Sequence, residues 1–145
     1  MFIIRPCKTV FDPFIYNSWI RTLRNEDQYR HVDANWLTTA QHALIEKILA
    51  SAAVACVSAH PEDDPDTILG YAVGERRGVL HFIYVKKNFR QLGLATRLLD
   101  LLFDEENASS MEVTEVTRDL AYLRNREPVK RTIRLCQATK VADRH

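Results

Sequence analysis

The chain has 145 residues, of which 46% are hydrophobic, 27% charged and 9% aromatic. This composition is typical of a folded domain and excludes a low-complexity or fibrous chain, and we expect residues 1–145 to form a single domain. The formal net charge of +1 indicates no general preference for an acidic or basic partner. The chain contains no run of 18 apolar residues, and its first residues do not resemble a secretory signal, so we expect a cytoplasmic protein without a membrane partner.

The three cysteines do not indicate a disulfide framework or a metal site. Cys7, Cys56 and Cys136 lie far apart and form no C-x-x-C motif. An odd number of cysteines without a secretory signal predicts free thiols in a reducing compartment. His31 has no second histidine at a ligand spacing, so we expect no metal.

The first half of the chain alternates between strand and helix patterns. Asp12-Pro13 is a typical helix start, and Phe11, Ile15, Trp19 and Leu23 then recur every four residues. Asn35 is the predicted cap of a second helix, on which Trp36, Leu37 and Leu44 should face the core. The predicted elements are a strand at 2–5, helices at 12–25 and 35–50, a strand at 53–59, an acidic turn at 60–66 and a strand at 68–73.

The second half is centred on an apolar strand, residues 79–85. Regular alternation places Leu80, Phe82 and Tyr84 on one face of this strand and Ile83 and Val85 on the other, so both faces should be covered. A helix at 93–103 and strands at 112–117 and 132–136 follow, with a short helix at 119–126 between the last two strands. This order predicts one α+β domain with a mixed, mostly antiparallel sheet flanked by helices.

The loop after the central strand, with the helix start that follows it, has the features of a phosphate-binding site. The first turn of a helix presents backbone N–H groups and a positive dipole end. Gly93 lets a ligand approach the backbone, small Ala95 keeps that approach open, and Thr96 and Arg90 add a hydroxyl and a cation. A glycine at a helix start is also common without any ligand, so residues alone leave both interpretations open.

The segment Arg90-x-x-Gly93-x-Ala95, after the strand Leu80–Val85, resembles motif A of the GCN5-related N-acetyltransferase (GNAT) superfamily. That pattern follows a central strand and opens the helix that holds acetyl-coenzyme A. The resemblance extends over roughly residues 1–117 and implies a sheet that is splayed at the coenzyme A site. It also implies transfer of an acetyl group from acetyl-coenzyme A directly to a primary amine, on a small molecule or a protein.

The resemblance assigns residues to the co-substrate. The backbone of Val85 would pair with the pantetheine arm, and Ile83 and Tyr84 would flank the thioester. The pyrophosphate would be bound by Arg90 and by the main chain of Gln91, Leu92, Gly93, Leu94, Ala95 and Thr96. The polar stretch 26–33 would contact the acceptor, and its acids could attract an amine.

His81 is the candidate proton acceptor. The segment 80–91 resembles the arylalkylamine N-acetyltransferases, which carry two histidines on this strand; His81 matches the second, whereas Val79 stands at the first. Regular alternation puts His81 on the same face as Val85, and imidazole titrates near neutral pH. A lone histidine on a strand is more often a hydrogen-bonded structural residue, so both roles stay open. No glutamate matches the base that other members use.

The C-terminal third matches the family least well. Tyr122 is the residue nearest to the family's general acid, but it is out of step with the usual pattern, and packing explains it equally well. Two alternative functions therefore stay open. The protein could be a catalytically degenerate module that binds coenzyme A or a protein partner, or an enzyme that acetylates a nucleic-acid-linked amine such as aminoacyl-tRNA. The basic tail from Arg124 supports the latter only weakly, so we do not expect nucleic acid as a partner. Strand sharing through the C-terminal segment would allow a homodimer.

Overall fold

The computed structural model describes residues 2–26, 29–90, 92–104 and 110–114, and the backbone of residues 132–135. Within these residues, strands and helices follow the predicted order. The elements are β1 (Phe2–Pro6), α1 (Asp12–Arg24), α2 (Ala34–Ala50), β2 (Val54–Pro61), β3 (Gly70–Glu75), β4 (Val79–Val85), α3 (Leu94–Leu102), β5 (Ser110–Val113) and β6 (Thr132–Leu135). The helix predicted at 119–126 lies outside the described residues.

The strands form one mixed sheet in the order β1-β2-β3-β4-β5-β6. Pairing is antiparallel from β1 to β4 and parallel from β4 through β5 to β6. Helices α1 and α2 lie between β1 and β2 in the chain, and loops connect β2 to β3 and β3 to β4, whereas α3 provides the crossover that a parallel β4–β5 pair requires. The α+β class and the mixed sheet flanked by helices are thereby confirmed.

Helix α1 packs on β3 and β4 through the stripe of apolar residues that the four-residue spacing of the sequence predicts. Ile15, Trp19 and Leu23 are all buried, and the ring of Trp19 stacks on Phe82 of β4 with 4.8 Å between centroids. Ser18, on the same side of the helix, places its hydroxyl 2.7 Å from the hydroxyl of Tyr71 on β3. This contact satisfies two buried polar groups and sets α1 against the sheet.

The N-cap of helix α2 lies two residues earlier than predicted, at Asp33 and not at Asn35. The carboxylate of Asp33, not the side chain of Asn35, accepts a hydrogen bond from the N–H of Trp36 at 2.9 Å. Leu37 and Ile45 are buried, but Trp36 is 63% exposed and Leu44 is 47% exposed. The prediction that these two residues pack in the core is therefore wrong, because each lies about 100° around the helix from a buried neighbour.

Two apolar cores lie on opposite faces of the sheet. The α3 face buries Leu80, Ile83 and Val85 of β4 together with α3, whereas the face under α1 and α2 includes Phe82 and Tyr84. Leu80 therefore faces α3, whereas regular alternation predicted that it shares the α1 face with Phe82 and Tyr84. The pairing register of β4 explains this difference. Among the described helices, none is both long and apolar enough to cross a membrane.

Candidate active site

A β-bulge interrupts β4 at His81. Val73 of β3 pairs with Phe82, but the next residue, Gly74, pairs with Leu80. His81 therefore has no partner residue on β3. A bulge of this kind bends the strand and changes which side chains share a face. It explains why Leu80 faces α3, and it overturns the prediction that His81 shares a face with Val85.

The described pairing of β4 with β5 joins the first residues of β4. Val79 pairs with Glu112 and Leu80 with Val113, and the N–H of Thr114 donates to the Leu80 carbonyl at 3.1 Å. The residues that would follow Thr114 along β5 lie outside the described part of the chain. The splay of the sheet beside the second half of β4 therefore stays a prediction.

The second half of β4 directs polar backbone groups away from β3. The N–H of Lys86 donates to the Leu69 carbonyl at 2.9 Å, on the β3 side. Since backbone groups alternate along a strand, Val85 and Ile83 direct their N–H and C=O groups to the opposite side. Arg90 contributes there as well, because its Nε donates to the Val85 carbonyl at 3.1 Å.

The loop that precedes α3 has the left-handed glycine which the motif requires. Gly93 is the N-cap of α3 with φ of 77°, and a Cβ at this position would meet no atom within 4 Å. Leu92 and Gly93 are exposed, Ala95 and Thr96 are half-buried, and Leu94 anchors the helix in the core. The first turn of α3 therefore faces an open space bounded by Gly93. Gln91 lies outside the described residues.

His81 is held between two side chains on the face of the sheet under α1 and α2. Its Nε2 lies 3.4 Å from Oε2 of Glu75, and its Nδ1 lies 3.1 Å from the hydroxyl oxygen of Thr114. One neutral tautomer satisfies both contacts, with Nε2–H donating to the carboxylate and Nδ1 accepting from the Thr114 hydroxyl. The ring is only 13% exposed.

Burial controls the protonation of this histidine. Desolvation lowers the pKa of His81 below its ordinary value of 6.5, and the charge and hydrogen bond of Glu75 oppose that shift. The neutral form is therefore present at neutral pH, as a proton acceptor requires. Glu75 also holds Arg77, whose Nε lies 2.8 Å from Oε1.

Glu75 is the residue that reasoning from the sequence missed. The central strand itself contains no glutamate, whereas Glu75 comes from the preceding strand and reaches His81 across the β3–β4 pairing. The available signal was the short Arg76-Arg77-Gly78 turn, which requires a hairpin and so places Glu75 beside the start of β4.

The family model of the GNAT acetyltransferases matches residues 12–122, well over half of the chain. The chain belongs to the GNAT acetyltransferase family. This match includes the bulged strand and the glycine at the start of α3. Membership in the family implies acetyl transfer from acetyl-coenzyme A.

The chain is similar to several solved structures at low sequence identity, and the first of those named below shares its fold. A GNAT family acetyltransferase from Staphylococcus aureus is 17% identical over 66% of this chain and 82% of its own, with a TM-score of 0.51. An acetyltransferase from Pyrococcus furiosus is 17% identical over 99% and 91%, with a TM-score of 0.49. An aminoglycoside N-acetyltransferase in complex with coenzyme A is 13% identical over 99% and 83%, with a TM-score of 0.43. No curated protein has a significant sequence match to this chain.

The site residues predicted for this GNAT protein lie in two groups. His81, Ile83 and Val85 lie along β4, and Arg90 binds the carbonyl at its end. Residues 92–96 form the loop and first turn beyond it. Tyr84 is half-buried under α1, with its ring 5.9 Å from that of Phe14, so its side chain lies away from the α3 face. Tyr122 lies outside the described residues, and its assignment as general acid stays a prediction.

Proposed function

We propose that this protein transfers the acetyl group of acetyl-coenzyme A directly to a primary amine. The observation that carries the proposal is the edge of β4 at which Ile83 and Val85 direct backbone groups away from β3, together with the left-handed Gly93 at the start of α3. An extended ligand with amide groups fits the first feature, and a pyrophosphate fits the second. Coenzyme A contains both groups in one molecule.

His81 is the proposed proton acceptor. The amine nitrogen attacks the thioester carbon, so that a C–N bond forms and the C–S bond breaks. The amine then loses a proton to the Thr114 hydroxyl oxygen, while that hydroxyl gives its own proton to Nδ1 of His81. Glu75 stabilises the imidazolium that results, since its carboxylate lies beside Nε2.

The departing thiolate of coenzyme A must also gain a proton, and Tyr122 is the candidate donor on the strength of the family resemblance. Arg90 is proposed to hold the end of β4 in place through its bond to the Val85 carbonyl. Cys7, which follows β1, and Cys56, on β2, are separated from β4 by β3, so neither of these two cysteines is assigned a covalent role in acetyl transfer.

Two measurements test the proposal. Acetyl-coenzyme A should raise the unfolding temperature at millimolar concentration, because a ligand that binds only the folded state stabilises it. Release of coenzyme A thiol should then accelerate with primary amines. The variant His81→Gln should bind acetyl-coenzyme A normally and lose about 100-fold or more in kcat.

The control for this variant is His42→Gln, since His42 is an exposed histidine on α2. Absence of any thermal shift with acetyl-coenzyme A would contradict the proposal. The second candidate, a module that binds coenzyme A without turnover, is favoured by one observation: both ring nitrogens of His81 already have partners. If the protein binds acetyl-coenzyme A but releases no coenzyme A thiol with any amine, this second candidate is the correct one.

A further inference from the structure

Two of the three cysteines face each other across the pair of strands at one edge of the sheet. Pro6 of β1 pairs with Val57 of β2, so that Cys7, the next residue of the chain, lies opposite Cys56. The N–H of Cys7 donates to the Cys56 carbonyl at 2.9 Å, which continues the pairing by one residue. Because the two cysteines are far apart in the chain, their spacing alone did not predict this contact.

The positions of these two cysteines suit a disulfide bond. Residues directly opposite each other in an antiparallel pair have their side chains on the same face, and their Cα atoms are about 5.5 Å apart where a hydrogen bond joins them. Disulfide bonds span Cα distances of roughly 4.4–6.8 Å. Both side chains contact the apolar core under α1 and α2, so they do share a face. Both are free thiols and half-buried, which leaves them within reach of a small oxidant.

The two thiols differ in acidity. A hydrogen bond with the Cys56 thiol lowers the pKa of Cys7, and burial opposes that shift. The same hydrogen bond raises the pKa of Cys56, and burial raises it further. Since the thiolate and not the thiol is the nucleophile, Cys7 is the more reactive member of the pair.

We propose that Cys7 and Cys56 form a reversible disulfide when the protein meets a hydroperoxide. The Cys7 thiolate attacks one peroxide oxygen and the O–O bond breaks, which leaves a sulfenic acid on Cys7 and a hydroxide that takes up a proton to form water. The Cys56 sulfur then attacks the Cys7 sulfur. The S–S bond forms, the S–O bond breaks, and the hydroxide leaves with the Cys56 proton as a second water. The two sulfur atoms are oxidised and the peroxide is reduced; a small thiol reverses the reaction by exchange.

This disulfide encloses both helices of one face of the sheet. The chain between Cys7 and Cys56 contains α1 and α2, and these helices cover the face that includes Phe82 and Tyr84. A cross-link between distant residues restricts the unfolded chain and so stabilises the folded one. Oxidation therefore ties the α1–α2 layer to the sheet. The inference does not rest on the proposed acetyl transfer, because β3 separates both cysteines from β4.

Peptide mapping by mass spectrometry tests the cross-link on the wild type. After brief treatment with hydrogen peroxide, each chain should lose two hydrogen atoms and yield one linked pair of peptides that contain Cys7 and Cys56. Dithiothreitol should restore the free thiols. The oxidised protein should unfold at a temperature about 5 °C or more above that of the reduced protein. A link through Cys136, a link between two chains, or a sulfinic acid without any link would overturn the proposal.

Variants test the order of the two steps. Cys136→Ser is the matched control, since it removes a cysteine outside the pair and should leave the cross-link and the thermal shift unchanged. In that background, Cys56→Ser should stop at the sulfenic acid on Cys7, which dimedone labels. Cys7→Ser should label at Cys56 at least about tenfold more slowly, because the Cys56 thiol keeps its proton. Equal labelling of the two variants would show that Cys7 is not the attacking thiol. The mapping of the wild type requires no variant, so it decides the proposal even if a substitution prevents folding.

Discussion

The Nε2 atom of His81 lies 3.4 Å from a carboxylate oxygen of Glu75, on the neighbouring strand of the same hairpin. The other carboxylate oxygen of Glu75 binds Arg77. Glu75 therefore has two cationic partners, one permanent and one that becomes charged only when His81 takes up a proton. This arrangement makes the affinity of His81 for a proton dependent on Glu75.

Replacing Glu75 with glutamine should lower the pKa of His81 further. Burial already lowers this pKa, and Glu75 is the group that opposes the shift. Without its charge, the acid limb of the pH dependence of kcat/KM should move to lower pH, since that limb reports a base of the free enzyme. The same shift should be visible in an NMR titration of the His81 ring.

The control for this variant is Asp63→Asn, which removes an exposed acid from the β2–β3 loop. It should leave the acid limb in place. A limb that moves to higher pH in Glu75→Gln, or does not move, would show that Glu75 does not act on His81 as its position indicates.

Substitution of Gly93 should weaken acetyl-coenzyme A binding more than it weakens the fold. The φ of 77° makes alanine unfavourable by about 1–2 kcal/mol. Asparagine adopts this conformation more readily, so Gly93→Asn should lose less stability than Gly93→Ala and still place a side chain where no atom now lies. Both variants should raise the dissociation constant of acetyl-coenzyme A in calorimetry.

Gly74→Ala provides the opposite case. A Cβ at Gly74 would lie 2.2 Å from the Val79 carbonyl oxygen, so the β3–β4 pairing must shift to accept it. This variant should be destabilised more strongly than Gly93→Asn in urea unfolding. Equal acetyl-coenzyme A affinity of Gly93→Asn and wild type would argue against the loop as a phosphate site.

The two tryptophans should differ greatly in their contribution to stability. Trp19 is 2% exposed and stacks on Phe82, whereas Trp36 is 63% exposed. Trp19→Ala should reduce the free energy of unfolding by about 3–5 kcal/mol, and Trp36→Ala should change it by less than about 0.5 kcal/mol. Urea denaturation followed by circular dichroism measures both.

A third variant tests the polar atom of Trp19. Its indole N–H is buried and has no hydrogen-bond partner within the described part of the chain. Phenylalanine keeps an aromatic ring against Phe82 and removes this donor, so Trp19→Phe should cost much less than Trp19→Ala. Similar losses in the two variants would show that the ring stacking contributes little.

Stability should fall as the pH decreases from 7 toward 5. Burial lowers the pKa of both His60 and His81 below the ordinary value of 6.5. The unfolded chain then binds more protons than the native one, so stability is lost as the pH falls below 6.5 and levels off below the native pKa values. Burial favours the neutral form of His60, whose Nδ1 donates to the Thr67 carbonyl at 2.9 Å and whose Nε2 accepts from the Ser58 hydroxyl at 2.7 Å; the Thr67 contact opposes the lowering of the pKa.

Urea unfolding at several pH values measures this dependence. The variant His60→Gln should reduce the slope between pH 7 and 5, and the double variant with His81→Gln should reduce it further. A wild-type stability that is constant over this range would contradict the pKa directions of both histidines.

The sequence predicts those elements whose boundaries are encoded locally. The central strand is bounded by the turn at 76–78 and consists of apolar residues throughout, so its predicted range agrees with β4. Asp12-Pro13 and the four-residue spacing similarly define α1. The position of Gly93 at a helix start is also a local feature, and the family motif was therefore recognisable.

Other features depend on contacts between elements and have no local signature. The bulge at His81 arises from the register between β3 and β4, so regular alternation predicted the wrong face for Leu80 and His81. The contact of Glu75 with His81 depends on the same register. Arg21, Arg24 and Arg30 line a common groove only when α1 and α2 pack together. The residue types along the chain do not reveal this packing.

The bulge in β4 also has a consequence for how the chain could be shortened. Without residue 81, Leu80 and Phe82 would become neighbours and would pair with Gly74 and Val73 in an uninterrupted ladder. Leu80, Ile83 and Val85 would still face α3, and Phe82 and Tyr84 would still face α1. A deletion of His81 is thus compatible with the fold in a way that a deletion of Phe82 is not. In this respect His81 is an insertion into a strand that is already complete without it.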